Sequence, residues 1–319
     1  MSRRALVTGG SGFVGQWLAR ALLGRGWEVH SVGVHGAEAA TLLTAEERES
    51  VTWHVADLRD GAALGGAVAE ARPEFVAHLA AVSFLPEAAA SSVAAFDVNV
   101  LGLARLLEAI RPRRHAGEID PLILVVGSGE QYGRHPDDAL PLDESAAQRP
   151  LTVYAASKAA QEHVALQAAR AEGMRIVATR SFNHSGPGQS PRFLLPALVS
   201  RVRALPRGER GVLPMGNLTP IRDFLHVADV VEGYCRLVDQ GEPGEVYNVA
   251  SGQGISVGAL VDRVLQRAGV SADISQDAAL MRPVDLPALV GDSSKLQRTT
   301  GWRPRRSLDD IIDDLLSHP

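Results

Sequence analysis

An α/β fold, a doubly wound parallel sheet with a smaller C-terminal domain, is predicted for this 319-residue sequence by three observations. Short β-rich runs alternate with Ala/Leu-rich stretches of helical period over roughly the first 130 residues, the pattern of βαβ units. A glycine-rich turn follows directly on the first apolar run. Beyond the last run of this series, Pro and Gly become frequent and the alternation breaks, which marks a second region.

The first strand is Arg4 to Thr8, closed by Gly9 and Gly10 and followed by a helical stretch over Gln16 to Leu23. Glu28 to Val32, Val51 to Val55, Phe75 to Leu79 and Leu122 to Gly127 come next. They are short β-rich runs carrying Val, Leu and aromatic residues, as strands of a parallel sheet do. A helix is predicted over Val100 to Ile110 and another from Thr152, which leads into a sixth strand over Arg175 to Arg180. Asn183 to Pro220 reads as loops and one helix over a binding cleft. Phe224 to Val238 reads as a helix, and Glu245 to Ala250 as a strand that rejoins the main sheet. Val257 to Ala268 and the acidic Leu308 to Leu316 complete the helices. The expected division is residues 1–181 with 223–250 for the sheet domain, and 182–222 with 251–319 for the smaller one.

Composition narrows the class. A hydrophobic fraction of 45% with 22% charged residues is that of a globular protein. Lys and Arg number 32 against 37 Asp and Glu, a net charge of -5, so no basic excess is present to neutralise a nucleic-acid backbone. No uncharged apolar stretch reaches the roughly 18 to 20 residues that cross a bilayer. The opening MSRRALVTGG has too short an apolar run for a secretory signal, and the single cysteine, Cys235, suits a reducing compartment. A cytoplasmic location, with neither nucleic acid nor membrane as partner, is expected.

The turn after the first strand carries glycines at Gly9, Gly12 and Gly15 and opens a helix at Phe13 and Val14. This strand-turn-helix order is the Rossmann-type arrangement. Gly9 serves the tight turn, Gly12 lets backbone N–H groups meet a pyrophosphate, and Gly15 lets helix and strand pack closely. NAD(H) or NADP(H) is therefore the expected cofactor. The acidic residue that would hold the ribose at the end of the second strand is missing, with Gly33 in its place. No Arg stands ready for a 2′-phosphate, only His35, so the choice between the two stays open. Asp57 and Leu58, after the third strand, are placed for the adenine, and Leu79, Ala80 and Ala81 for the pyrophosphate.

Tyr154 and Lys158 lie four residues apart and so share one helix face. A lysine charge beside a tyrosine favours the phenolate and turns a weak acid into a usable proton-transfer group. Ser128 falls at the carboxyl end of the fifth strand, where ligands of such sheets bind, and can hydrogen-bond the reacting oxygen. Glu130, two residues on, is a candidate second acid-base group. No metal-ligand set is expected.

In this order the glycine turn, Ser128, Tyr154 and Lys158 resemble the extended short-chain dehydrogenase/reductase family over essentially the whole chain. The runs Gly127 to Gly133, Arg180 to Gln189 and Gly216 to Phe224 resemble its branch acting on GDP-linked 6-deoxyhexoses. That resemblance implies reduction of the 4-keto group of a GDP-linked 4-keto-6-deoxyhexose; dehydration of GDP-mannose and 4-epimerisation are the rivals. It implies Ser128 and Tyr154 at the keto oxygen, Lys158 on Tyr154 and the nicotinamide ribose, and Asn183 and Asn217 at the nucleotide-sugar. It also implies Arg222 and Arg282, with Asp285 beside them, at the diphosphate, Ser83 facing the sugar, and Asn99 bracing the active-site helix near the cofactor. His184 to Gln189, and the lack of paired arginines at Val34-His35, favour the reductase over the dehydratase. A homodimer through a four-helix bundle is also implied.

Overall fold

A computed structural model describes residues 3–281 and 284–318. Among these, a seven-stranded all-parallel sheet is formed by β1 (Arg4–Thr8), β2 (Glu28–Gly33), β3 (Val51–Val55), β4 (Phe75–His78), β5 (Leu122–Ser128), β6 (Ile176–Ser181) and a strand at Val246–Val249. Between the last two in sequence come β7 (Asn183–Ser185), β8 (Arg210–Met215) and β9 (Ile221–His226), which makes the seventh sheet strand β10. β11 (Gly254–Ser256), β12 (Ser271–Gln276) and β13 (Ala288–Leu289) follow. The sheet order is β10-β6-β5-β4-β1-β2-β3. The order reverses between β1 and β4, so the crevice at their carboxyl ends is the natural ligand site of such a sheet.

Helices cover both faces. Phe13–Leu23 and Val227–Gln240 pack on one, with Leu18, Leu22, Val230, Val231 and Tyr234 in the core. Gly61–Ala71, Gly102–His115 and Val153–Glu172 pack on the other through Leu64, Val68, Leu103, Leu106, Ala165 and Ala168. Each fully buried Leu contributes about 1.5–3 kcal/mol. A separate core joins helices Leu194–Arg203, Val257–Ala268 and Leu308–Ser317 to β8 through Leu198, Val202, Leu213, Leu260, Val264 and Ile311.

The C-terminal half departs from the sequence reading in two places. The helix expected from Phe224 begins at Val227, and Phe224 to His226 end β9, which pairs with β7, β11 and β13. The cause is tertiary: Asp223, fully buried, accepts from the Ser251, Gly252 and Gly291 backbone N–H groups and holds the segment extended. Residues 183–220 hold strands β7 and β8 besides the expected helix; β8 forms a parallel pair with β12, distant in sequence. Among the described residues no helix is long and apolar enough to cross a membrane.

Candidate active site

The turn between β1 and the first helix is fixed by close packing. Gly9 has φ +74°, and a Cβ there would meet the Ala80 backbone at 3.0 Å. A Cβ on Gly15 would lie 2.2 Å from the Gly9 carbonyl, so helix and turn touch there. Gly12 is exposed, and its Cβ would meet only the Gly9 carbonyl, at 3.1 Å. The helix that starts at Phe13 has no side-chain cap and no acidic residue in its first turn, so the N–H groups of Phe13 and Val14 present a positive helix end. A dinucleotide pyrophosphate fits this cradle.

Thr8 joins the two sides of the crevice. Its hydroxyl accepts from Ala80 N at 3.3 Å and bonds His78 Nδ1 at 3.0 Å. His78 is fully buried, and burial, with the Lys158 charge adding to it, brings its imidazole down to about 3. Leu79 N donates to Thr8 O, and Ala81 follows in the same loop. Leu58 is buried. Asp57 is engaged by Arg59, which reaches both of its oxygens at 2.6–3.0 Å.

Helix Val153–Glu172 opens where the Thr152 side chain accepts from Ala155 N, and it carries Tyr154, Ser157 and Lys158. Asn99 donates to Ser157 Oγ at 2.9 Å and accepts from Val82 N at 2.7 Å, which ties the helix to the loop after β4. Ser83, the next residue in that loop, is exposed. Lys158 is buried; its Nζ donates to Val126 O at 2.7 Å and Gln161 Oε1 at 2.9 Å, and burial brings its ammonium down to about 7. Tyr154 stands beside Ser128. Burial pushes its hydroxyl up to about 12, with the Ser128 hydroxyl pulling the other way and the Glu130 carboxylate adding to the rise. Burial outweighs the lowering expected from the Tyr154 and Lys158 spacing, so the hydroxyl is held above its ordinary value.

Ser128 ends β5 and its Oγ accepts from Glu130 N at 3.2 Å, which leaves its own O–H to donate. Its backbone N–H donates to Gln131 Oε1 at 2.7 Å, and Gln131 Nε2 donates to Glu162 at 2.9 Å. Arg180 closes this network with two bonds to Glu162 at 2.7 and 2.9 Å. The sequence gives no role to Gln131, Glu162 or Arg180, although the first and last fall in runs that carry the resemblance. A Ser-x-x-Gln capping pattern was the local signal for Gln131.

On the smaller domain Asn217, Arg222 and Asp285 come together. Arg222 donates to Asp285 at 2.6 Å and to Leu286 O at 2.7 Å, and Asn217 reaches the same carboxylate at 3.4 Å. Asn183 starts β7, opposite Phe224. Arg282 lies outside the described residues. Phe84 and Phe193 meet edge to face at 6.0 Å, so the loop carrying Ser83 touches the smaller domain.

The geometry can be set beside known proteins. The GDP-6-deoxy-D-mannose reductase of Pseudomonas aeruginosa is 34% identical over 318 residues, 99% of this chain and 97% of that one. The structure of RMD from Pseudomonas aeruginosa complexed with NADPH superposes with a TM-score of 0.83 at 31% identity, covering 98% of each chain. The UDP-glucose 4-epimerase of Thermus thermophilus in complex with NAD gives 0.83 at 30% identity, covering 99% of this chain and 98% of that one. The model of the GDP-mannose 4,6 dehydratase family matches residues 6–315, and the chain belongs to that family.

Proposed function

We propose that this chain reduces the 4-keto group of a GDP-linked 4-keto-6-deoxyhexose, taking GDP-4-keto-6-deoxy-mannose to GDP-rhamnose with NADH or NADPH. The observation that carries this reading is Tyr154 beside Ser128 at the carboxyl end of β5, in a chain 34% identical over nearly its whole length to a GDP-6-deoxy-D-mannose reductase. Reduction requires a group that gives a proton to the ketone oxygen, and the Tyr154 phenol is that group.

The reduced nicotinamide, when bound, supplies the hydride. Gly9, Gly12, Phe13, Val14 and Gly15 hold its pyrophosphate, with Leu79, Ala80 and Ala81 opposite and Asp57 and Leu58 toward the adenine. Ser128 polarises the ketone with its O–H, and Tyr154 delivers the proton at that oxygen. Lys158 supports Tyr154, and Asn99 braces the helix that carries both. Asn183 and Asn217 hold the nucleotide-sugar and Arg222 and Arg282 its diphosphate, with Asp285 orienting Arg222, and Ser83 faces the sugar. The reading includes a cytoplasmic homodimer, supported by the apolar side chains of Val93, Phe96, Leu101 and Leu151, exposed at or beside the helices of the bundle.

Glu130 favours the dehydratase as a second reading, because its carboxylate lies close enough to act on Tyr154. Product analysis by NMR and mass spectrometry separates the two. Conversion of GDP-4-keto-6-deoxy-mannose with stoichiometric oxidation of added NADH or NADPH is expected. Conversion of GDP-mannose to the keto sugar without added reductant would replace the reductase with the dehydratase.

A further inference from the structure

Apart from the active site, the fold assembles a linear chain of four side chains across the edge of the sheet. His30 lies on β2 and His54 on β3, the edge strand, where Val32 pairs with His54. The two rings are nearly parallel, 5.3 Å apart, with His30 Nδ1 and His54 Nε2 at 3.0 Å. At one end Glu28 Oε1 lies 3.3 Å from His30 Nε2. At the other, Glu70 of helix Gly61–Ala71 places Oε2 at 3.9 Å from His54 Nδ1. His30 is 3% exposed, while Glu70 reaches into solvent.

A count of protons shows what this chain lacks. Two neutral imidazoles carry two N–H groups, one for the ring-to-ring contact and one for Glu28. His54 Nδ1, 3.9 Å from Glu70, has no hydrogen bond to it. The ring-to-ring contact is thus held by a single proton between two lone pairs, a place a metal ion can take.

We propose that His30 Nδ1 and His54 Nε2 bind a divalent cation of the imidazole-preferring class, Zn²⁺ or Ni²⁺. Both inner nitrogens then offer lone pairs, and both outer N–H groups point at carboxylates, the usual support for metal-bound histidine. Two bonds of about 2.0–2.1 Å at a tetrahedral angle need the nitrogens about 3.3 Å apart, with each ring turned out of its head-on alignment so that both lone pairs converge on the ion. Glu28 and Glu70 balance the ion's charge, and one Glu70 oxygen lies within 4.8 Å of a nitrogen on each ring. Imidazole donors select such ions over Mg²⁺ or Ca²⁺. The ion links β2, β3 and the helix above them, so it clamps the edge strand to its covering layer. None of the four residues belongs to the cofactor or catalytic set, and the proposal stands apart from the reductase reading.

The test uses full-length protein without a histidine tag, stripped with EDTA and desalted, then titrated calorimetrically with ZnCl₂, NiCl₂ and MgCl₂. One equivalent of Zn²⁺ or Ni²⁺, no Mg²⁺ uptake, and a raised melting temperature with Zn²⁺ are expected. His54→Ala, checked for folding by far-UV circular dichroism, should bind at least tenfold more weakly, and Glu70→Gln a few-fold more weakly. If His54→Ala fails to fold, His54→Gln replaces it. Absence of stoichiometric uptake, or wild-type affinity in the folded His54 variant, overturns the proposal.

Discussion

Lys158 Nζ donates to the carbonyl of Val126 at 2.7 Å, which pins the lysine beneath the end of β5. Its ammonium is brought by burial to about 7 in the folded chain, against about 10.4 for a free lysine. The unfolded chain therefore binds more protons between about pH 7 and 10, so this residue's contribution to stability rises with pH across that window and is lost as pH falls toward 7. Lys158→Met should flatten that rise. Urea midpoints of cofactor-free wild type and variant, measured from pH 7 to 9.5, check it; parallel curves would contradict the buried lysine.

Tyr154→Phe keeps the ring and removes only the hydroxyl. Turnover should fall by roughly 10² to 10⁴, with nicotinamide affinity within a few-fold of wild type and the melting temperature little changed. Steady-state kinetics and cofactor titration read both. A variant with more than a tenth of wild-type turnover would remove Tyr154 as the proton donor.

Gly12 and Gly15 should separate binding from folding. A side chain at Gly12 meets only the Gly9 carbonyl, so Gly12→Leu should fold and lose at least tenfold in dinucleotide affinity, about 1.4 kcal/mol. At Gly15 the added Cβ would sit 2.2 Å from backbone, so Gly15→Leu should reach the soluble fraction poorly. Calorimetry on the first and expression yield of the second decide the matter.

Gln131→Met leaves the Ser128 N–H without its partner and removes one of the two donors to a Glu162 oxygen, which Arg180 still holds. Orphaned buried groups of this kind cost about 1–3 kcal/mol. Denaturant melts should show that loss. The kcat should fall more than KM rises, because Ser128 loses its anchor while the nucleotide contacts stay in place.

Glu130→Gln discriminates between reactions. A reductase needs no second base, and the variant should keep a substantial fraction of its rate with the keto sugar and added NADH or NADPH. Loss of all turnover, together with wild-type conversion of GDP-mannose, would make Glu130 the base of a dehydratase.

Most of the sheet was readable from sequence because its strands are short β-rich runs that alternate with stretches of helical period. β1 and β3 match the expected bounds, and the other five lie within one residue of theirs. β9 was not readable. Phe224, Leu225 and Val227 continue the helical period of the residues after them, and only Asp223, held by distant N–H groups, keeps the segment extended. At the site, Ser128, Tyr154 and Lys158 stood out through spacing and position. The polar network behind Ser128 did not, since Glu162 lies 31 residues from Gln131 and 18 from Arg180. The His30 and His54 pair, 24 residues apart, was hidden for the same reason.

β10 takes its place beside β6 only after the chain has left the sheet and returned. β6 ends at Ser181, whereas β10 starts at Val246. During synthesis the ribosome therefore delivers six sheet strands early, and β6 waits with an open edge until the chain beyond Val249 has emerged. The helix Val227–Gln240, which covers one sheet face, is equally late. Such an edge is a template for pairing with another nascent chain. A fragment ended near residue 181, although it holds the glycine turn and the Ser-Tyr-Lys set, would be sticky, so the seven-stranded sheet cannot be freed by a single cut in the gene.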